Sequence, residues 1–185
     1  MLRLTPLIIR VFFRYDRYMN IDECISVVEK QENTLRFSCF DRKGAWELGQ
    51  LMASRILREK LELSVSIRLI SGLVVFQYAP EGTAVNNENW MTRKFNIVRD
   101  MEVSSLLNAL RLRKKNQTLE SRGLDPRSYA ASGGGFPIHV SGTGVIGAVI
   151  VSGLPHLEDH GFVVESLGRF LKILNVPQVP SDAGV

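Results

Sequence analysis

Residues 131–160, ASGGGFPIHVSGTGVIGAVIVSGLPHLEDH, constrain the fold of this chain more than any other stretch. They hold seven of its fifteen glycines, and between these glycines lie two β-rich runs, residues 136–140 and 145–151, joined across Gly142 and Gly144. Strands joined by so short a turn run antiparallel, because a parallel pair needs a crossover of about a dozen residues or more. A second pair of β-rich runs flanks Ser71-Gly72 in SVSIRLISGLVVFQYAP, and Pro80 closes it. Two hairpins exclude a doubly wound parallel sheet and require an antiparallel one.

The other segments supply a fifth strand and the helices. TLRFSCF alternates Leu35, Phe37 and Cys39 against Arg36 and Ser38, the period of a half-buried strand. Before it, residues 21–31 form a short helix with Cys24, Val27 and Val28 on one side. After it, Asp41 caps a long amphipathic helix whose stripe is Ala45, Leu48, Gly49, Met52, Ile56 and Leu57. Asn86 or Asn87 caps a helix through ENWMTRKFNIVRDM, with Trp90, Phe95, Ile97 and Val98 available to the core, and another helix follows in VSSLLNALRLRKKNQ. TLESRGLDPRSY reads as a surface loop. From Pro155 a closing helix carries Leu157, Val164, Leu167, Leu171 and Leu174 at three- and four-residue spacing, and the tail beyond Pro177 frays. The expected fold class is α+β: a five-stranded antiparallel sheet with helices packed against it.

At 185 residues, with 45% hydrophobic and 23% charged residues, the chain fits one globular domain, assigned to residues 19–176 with a tail over 177–185. The net charge of +4 invites a nucleic-acid or membrane reading. Its distribution argues against both. Arg3, Arg10, Arg14 and Arg17 against Asp16 place three of those charges in residues 1–18 and leave the body nearly neutral. That leader is interrupted by Arg10 and is too short in apolar residues to span a membrane. It reads as a poorly ordered extension preceding Met19, which is itself a plausible original start. Cys24 and Cys39 show neither CxxC nor metal spacing and sit among apolar neighbours, so reduced core thiols of a cytoplasmic protein are expected.

The glycines do not make a phosphate cradle. Such a cradle lies between a strand and a helix N-terminus, whereas Gly133, Gly134 and Gly135 precede a strand, and no P-loop lysine follows. They serve tight turns and close backbone approach, with a small-ligand pocket over them as the alternative. The basic cluster Arg111, Arg113, Lys114 and Lys115 favours the negative end of a helix dipole, and no aromatic residues are interleaved to stack bases. In HLEDH, His156 and His160 stand four apart with Asp159 beside them, a spacing used by divalent metal sites. The plainer reading is a solvated helix start with acids in its first turn. Trp90 beside Arg93 and Lys94 can hold an anionic or planar ligand, against the plainer reading of a packed indole with two solvated cations.

GGGFPIHVSGTGVIGAVIVSG followed by EDH resembles the signature of the GlcG/HbpS-like, or haem-degrading domain, family. FDRKGAWELG, NNENWMTRK and the pair Ser104-Ser105 resemble a bacterial and fungal subgroup of it, and the likeness spans residues 21–174. The resemblance implies a profilin-like fold with a five-stranded antiparallel sheet flanked by helices on both faces. It also implies a cytoplasmic homo-oligomer built from dimers, and haem or iron binding in some members. Family members commonly carry a histidine immediately before the glycine run where this chain has Ser132, so the resemblance leaves two alternatives: the role of that histidine is lost here, or His160 takes it. The expected function is therefore a non-enzymatic oligomeric binding protein, holding haem or a small anionic ligand near Trp90, Arg93, Lys94, Gly133, Gly134, Gly135 and His160. Two other classes compete with it: a scaffold for protein partners in protein handling or stress, and a metal-assisted enzyme using His156, Asp159 and His160.

Overall fold

The computed structural model of this protein describes residues 19–181 together with Ala183 and Gly184. The expected extension over residues 1–18 lies outside the described residues. The described chain runs α1 (Ile21–Thr34), α2 (Arg42–Glu59), β1 (Ser64–Leu69), β2 (Val74–Tyr78), α3 (Val85–Met101), α4 (Ser105–Lys114), a short 3-10 turn (Glu120–Arg122), β3 (Gly135–Val140), β4 (Gly144–Ser152) and α5 (His156–Leu171).

Local chemistry sets the helix starts. Asn20 Oδ1 accepts from the amides of Asp22 and Glu23 at 3.0 Å, while the Glu23 carboxylate accepts from the Asn20 amide at 3.0 Å. This reciprocal pair satisfies two donors that a helix start leaves open. Asp41 caps α2 as its sequence predicts, accepting from the Gly44 amide at 2.8 Å. At α3 the prediction shifts: the N-cap is Ala84, and Asn87, three residues on, accepts from the Ala84 amide at 2.9 Å.

The strands form one antiparallel sheet of four in the order β2-β1-β4-β3. Alternation along β4 divides the core. Val149 and Val151 join Val65, Ile67, Phe136 and Ile138 on the face covered by α2 and α5, whereas Ala148 and Ile150 meet Met91, Phe95 and Val98 of α3 on the other. Helices therefore cover both faces. A satellite cluster joins α1 to α4 through Cys24, Val28, Leu106, Leu107 and Leu110.

The fifth expected strand is reduced to one bridge. Phe37 pairs in parallel with Val140, its amide donating to the His139 carbonyl and its carbonyl accepting from the Ser141 amide, both at 2.9 Å. Leu35 is still tied to the Gln31 carbonyl as the cap of α1, and Asp41 already begins α2, so too few residues are free to extend the ladder. Leu35 and Phe37 are buried as the alternation predicts, but Cys39 is exposed rather than part of the core. Leu57 is likewise exposed, one residue and about 100° round the helix from the buried Ile56. Leu174 leaves the closing stripe because α5 ends at Leu171 and Lys172 turns left-handed at φ 56°. The tail is held rather than frayed: Val179 and Ala183 are buried in the α1–α4 cluster, and Gln31 Nε2 donates to the Pro177 carbonyl at 2.7 Å.

Candidate functional site

At one end of the sheet, β4 runs into the first turn of α5 while the first turns of α3 lie alongside. A polar cavity of about 270 Å³ opens there. Asn86, Asn87 and Trp90 line it from α3, Ser132 and Ser152 from the neighbouring backbone, and His156 from α5, with Lys94 and Asp159 also on its wall. Asn87 is fixed by donating through Nδ2 to the Ser152 carbonyl at 3.0 Å. The N-cap residues of α3 and α5, Ala84 and Pro155, carry no capping side chain, and Asn87 answers only the Ala84 amide, so two helix starts with open first-turn amides border the same space.

Lys94 lies one turn beyond Trp90, on the same face of α3. It is not solvated. Its ammonium donates to Asp159 Oδ2 at 2.6 Å and to the Val151 carbonyl at 3.0 Å, and its side chain is only 3% exposed. Asp159 Oδ1 accepts from the Leu154 amide at 3.0 Å. Burial raises the Asp159 carboxyl above its ordinary range and lowers the Lys94 ammonium, while their mutual attraction opposes both shifts. The pair clasps α3 to the start of α5.

The glycine run makes that clasp geometrically accessible. A Cβ on Gly133 would stand 2.1 Å from the His156 carbonyl oxygen, and one on Gly134 would stand 2.8 Å from Lys94 Nζ and from the Val151 carbonyl oxygen. Gly134 also holds φ +114°, a conformation L side chains rarely adopt. The Gly134 carbonyl accepts from Val151, and the Gly135 amide donates to Ser105 Oγ at 2.9 Å. These groups are spent inside the fold, and the glycines shape the cavity from behind.

Arg93 lies with its guanidinium carbon 4.2 Å above the Trp90 ring, and its Nε is buried without a partner. His160 is elsewhere. It is 1% exposed, and its Nε2 meets Gln31 Oε1 at 2.8 Å. Because Gln31 Nε2 already donates to Pro177, the Gln31 oxygen is the acceptor and His160 Nε2 carries the proton, which leaves buried Nδ1 without a partner. Burial foremost, with the charge of His156 adding to it, lowers the His160 pKa to about 3, so the ring is neutral.

The structure thus gathers Trp90, Lys94, His156 and Asp159 at one cavity, sets the glycines behind it and walls His160 away. The metal triad is not assembled, since both Asp159 oxygens are engaged and His160 faces Gln31. Among the described residues no three His, Cys, Asp or Glu side chains form a group able to hold a metal ion. Among these residues also, no helix is long and apolar enough to cross a membrane. Sequence reasoning missed the lining roles of Asn86, Asn87, Ser132 and Ser152. Their signal was slight: a polar NN pair in a first helical turn, and serines flanking glycines.

Comparison with known proteins gives concordant matches. Residues 40–167 match the family model described as haem degrading protein HbpS-like. The UPF0303 protein of Serratia proteamaculans (strain 568) is 44% identical over 162 residues, covering 87% of this chain and 99% of that protein. The crystal structure of Ybr137w protein superposes with a TM-score of 0.74 at 25% identity, over 84% of this chain and 90% of that one. The structure of a PduOC:haem complex superposes with a TM-score of 0.55 at 16% identity, over 72% and 93%, and shares the fold.

Proposed function

The chain belongs to the HbpS-like family, and from that premise we propose that it is a non-enzymatic, cytoplasmic ligand-binding protein that works as a homo-oligomer built from dimers. Its ligand is a small planar anion such as an aromatic carboxylate. The observation that carries this reading is the cavity at the sheet end, where Trp90 and two helix starts whose N-cap residues carry no capping side chain border about 270 Å³ of polar space. A stacked Trp90-Arg93 pair offers a flat face and a cation beside it. The first-turn amides, Asn86 and Ser132 offer donors.

Fluorescence titration with benzoate tests the reading. Trp46, 55% exposed, is the other tryptophan, so the Trp46→Phe protein leaves Trp90 as the reporter. A saturable change that disappears in Trp46→Phe/Trp90→Phe supports the site, and no change at tens of millimolar benzoate removes it. Sedimentation velocity of the full chain checks the assembly, and a monomer would defeat it. Exposed Leu73 and Val74 at edge strand β2 supply apolar surface for such an interface.

Haem is a second reading, favoured by the PduOC:haem complex among the structural neighbours. His160 does not fit that group, being sealed and bonded to Gln31. His156 fits better, half-buried where the polar cavity meets an apolar groove lined by Leu106, Leu110 and Leu119. Bound haem would supply a redox-active iron for an imidazole ligand. Haemin titration should then give a saturable Soret shift that His156→Ala abolishes and His160→Gln spares.

A further inference from the structure

A second cavity, of about 230 Å³, opens between the end of α3, the last turns of α4 and the turn Glu120–Arg122. It shares no lining residue with the sheet-end cavity. Met101, Val103 and Leu112 form apolar walls, and Arg111, Lys115 and Arg122 bring three cations to its lining with no carboxylate among them. Among the described residues, Arg111 pairs with Glu29 at 2.8 Å, both side chains being about half exposed, while Lys115 and Arg122 have no ion-pair partner. Asn108 also lines the cavity, and its Nδ2 is sealed from solvent without an acceptor.

Two further features suit an anion. The carbonyls ending α4 would repel one, but those of Arg111, Leu112 and Arg113 are already taken by the amides of Lys115, Asn116 and Gln117. The turn carrying Arg122 is braced by Thr118 and Ser121, each accepting from the other's backbone amide. Three cations outnumber the two carboxylates that act on Arg111, Glu29 and Glu32, so the lining keeps a net positive charge that suits an anion.

We propose that this cavity binds a small phosphomonoester with a compact apolar body. The phosphoryl oxygens meet Lys115 and Arg122, and the hydrocarbon part lies against Met101, Val103 and Leu112. A phosphomonoester carries close to two negative charges at neutral pH and presents acceptors only, which matches a lining of donors.

Isothermal titration of the full chain with phenyl phosphate, inorganic phosphate and phenol tests the assignment. Phenyl phosphate should bind saturably, more tightly than inorganic phosphate, with phenol silent and the affinity falling as salt rises. Lys115→Ala/Arg122→Ala should weaken it about tenfold or more with the circular dichroism unchanged. Lys43→Ala, on the exposed side of α2 and outside both cavities, should bind as the parent does. Absence of saturable heat, equal binding of phenol, or full affinity in the double variant overturns the proposal. Full displacement of phenyl phosphate by benzoate, the probe of the sheet-end cavity, places the anion there and equally overturns it. Inorganic phosphate binding as tightly as phenyl phosphate overturns the apolar half of the assignment.

Discussion

His160 makes the protein's stability depend on pH in a way that one substitution removes. The folded pKa is about 3, and the ordinary value of the unfolded chain is 6.5. Between those values the unfolded chain binds a proton that the folded chain refuses, so stability falls as pH falls through the window. From pH 8 to pH 5 this group alone withdraws about 2 kcal/mol, and the loss approaches about 5 kcal/mol only once pH falls well below the folded value. The perturbation is His160→Gln, which keeps a donor for Gln31 Oε1 but does not titrate. Other groups titrate in both proteins alike, so the difference between the two pH profiles isolates the imidazole. Urea unfolding at fixed protein concentration from pH 8 to pH 5 gives the profiles. The parent should lose about 2 kcal/mol more than the variant over that range. Parallel profiles would refute the reasoning, because they would mean that His160 accepts its proton in the folded state and that the Gln31 contact is not made by a neutral ring.

Removing one member of the buried pair should cost far more than removing both. Lys94→Met should destabilise by about 3–5 kcal/mol in urea unfolding, with much of this recovered in Lys94→Met/Asp159→Leu. Gly134→Ala should cost about 1–3 kcal/mol or more and disturb the Lys94 contact, whereas Gly142→Ala, left-handed but facing open space, should cost about 1–2 kcal/mol. Asn20→Ala should lower stability by about 0.5–2 kcal/mol through loss of the α1 cap. Truncation after Pro177 should lower the melting temperature, since it uncovers the α1–α4 cluster beneath Val179 and Ala183.

What was legible in the sequence was what local patterning specifies. Both hairpins, the Asp41 cap and the period-two burial of Leu35 and Phe37 follow from residues close together in the chain, whereas helices on both faces came from the family resemblance. The fifth strand failed because alternation registers burial but not the room left between two helices. Lys94 looked like a surface cation because its partner is 65 residues away, and His160 looked like a ligand because Gln31 is 129 residues away. A helical spacing of four places two histidines on one face, yet only tertiary packing decides that one turn of that face is open and the next is sealed.

The clasp between Lys94 and Asp159 joins helices that belong to opposite layers of the sheet, and it does so beside the sheet-end cavity. Any guest that competes there for the ammonium or the carboxylate acts on the seam between the two halves of the molecule. Because the pair is already closed, a guest that drew the ammonium from the carboxylate would loosen the layers, so that occupancy and rigidity would be one event.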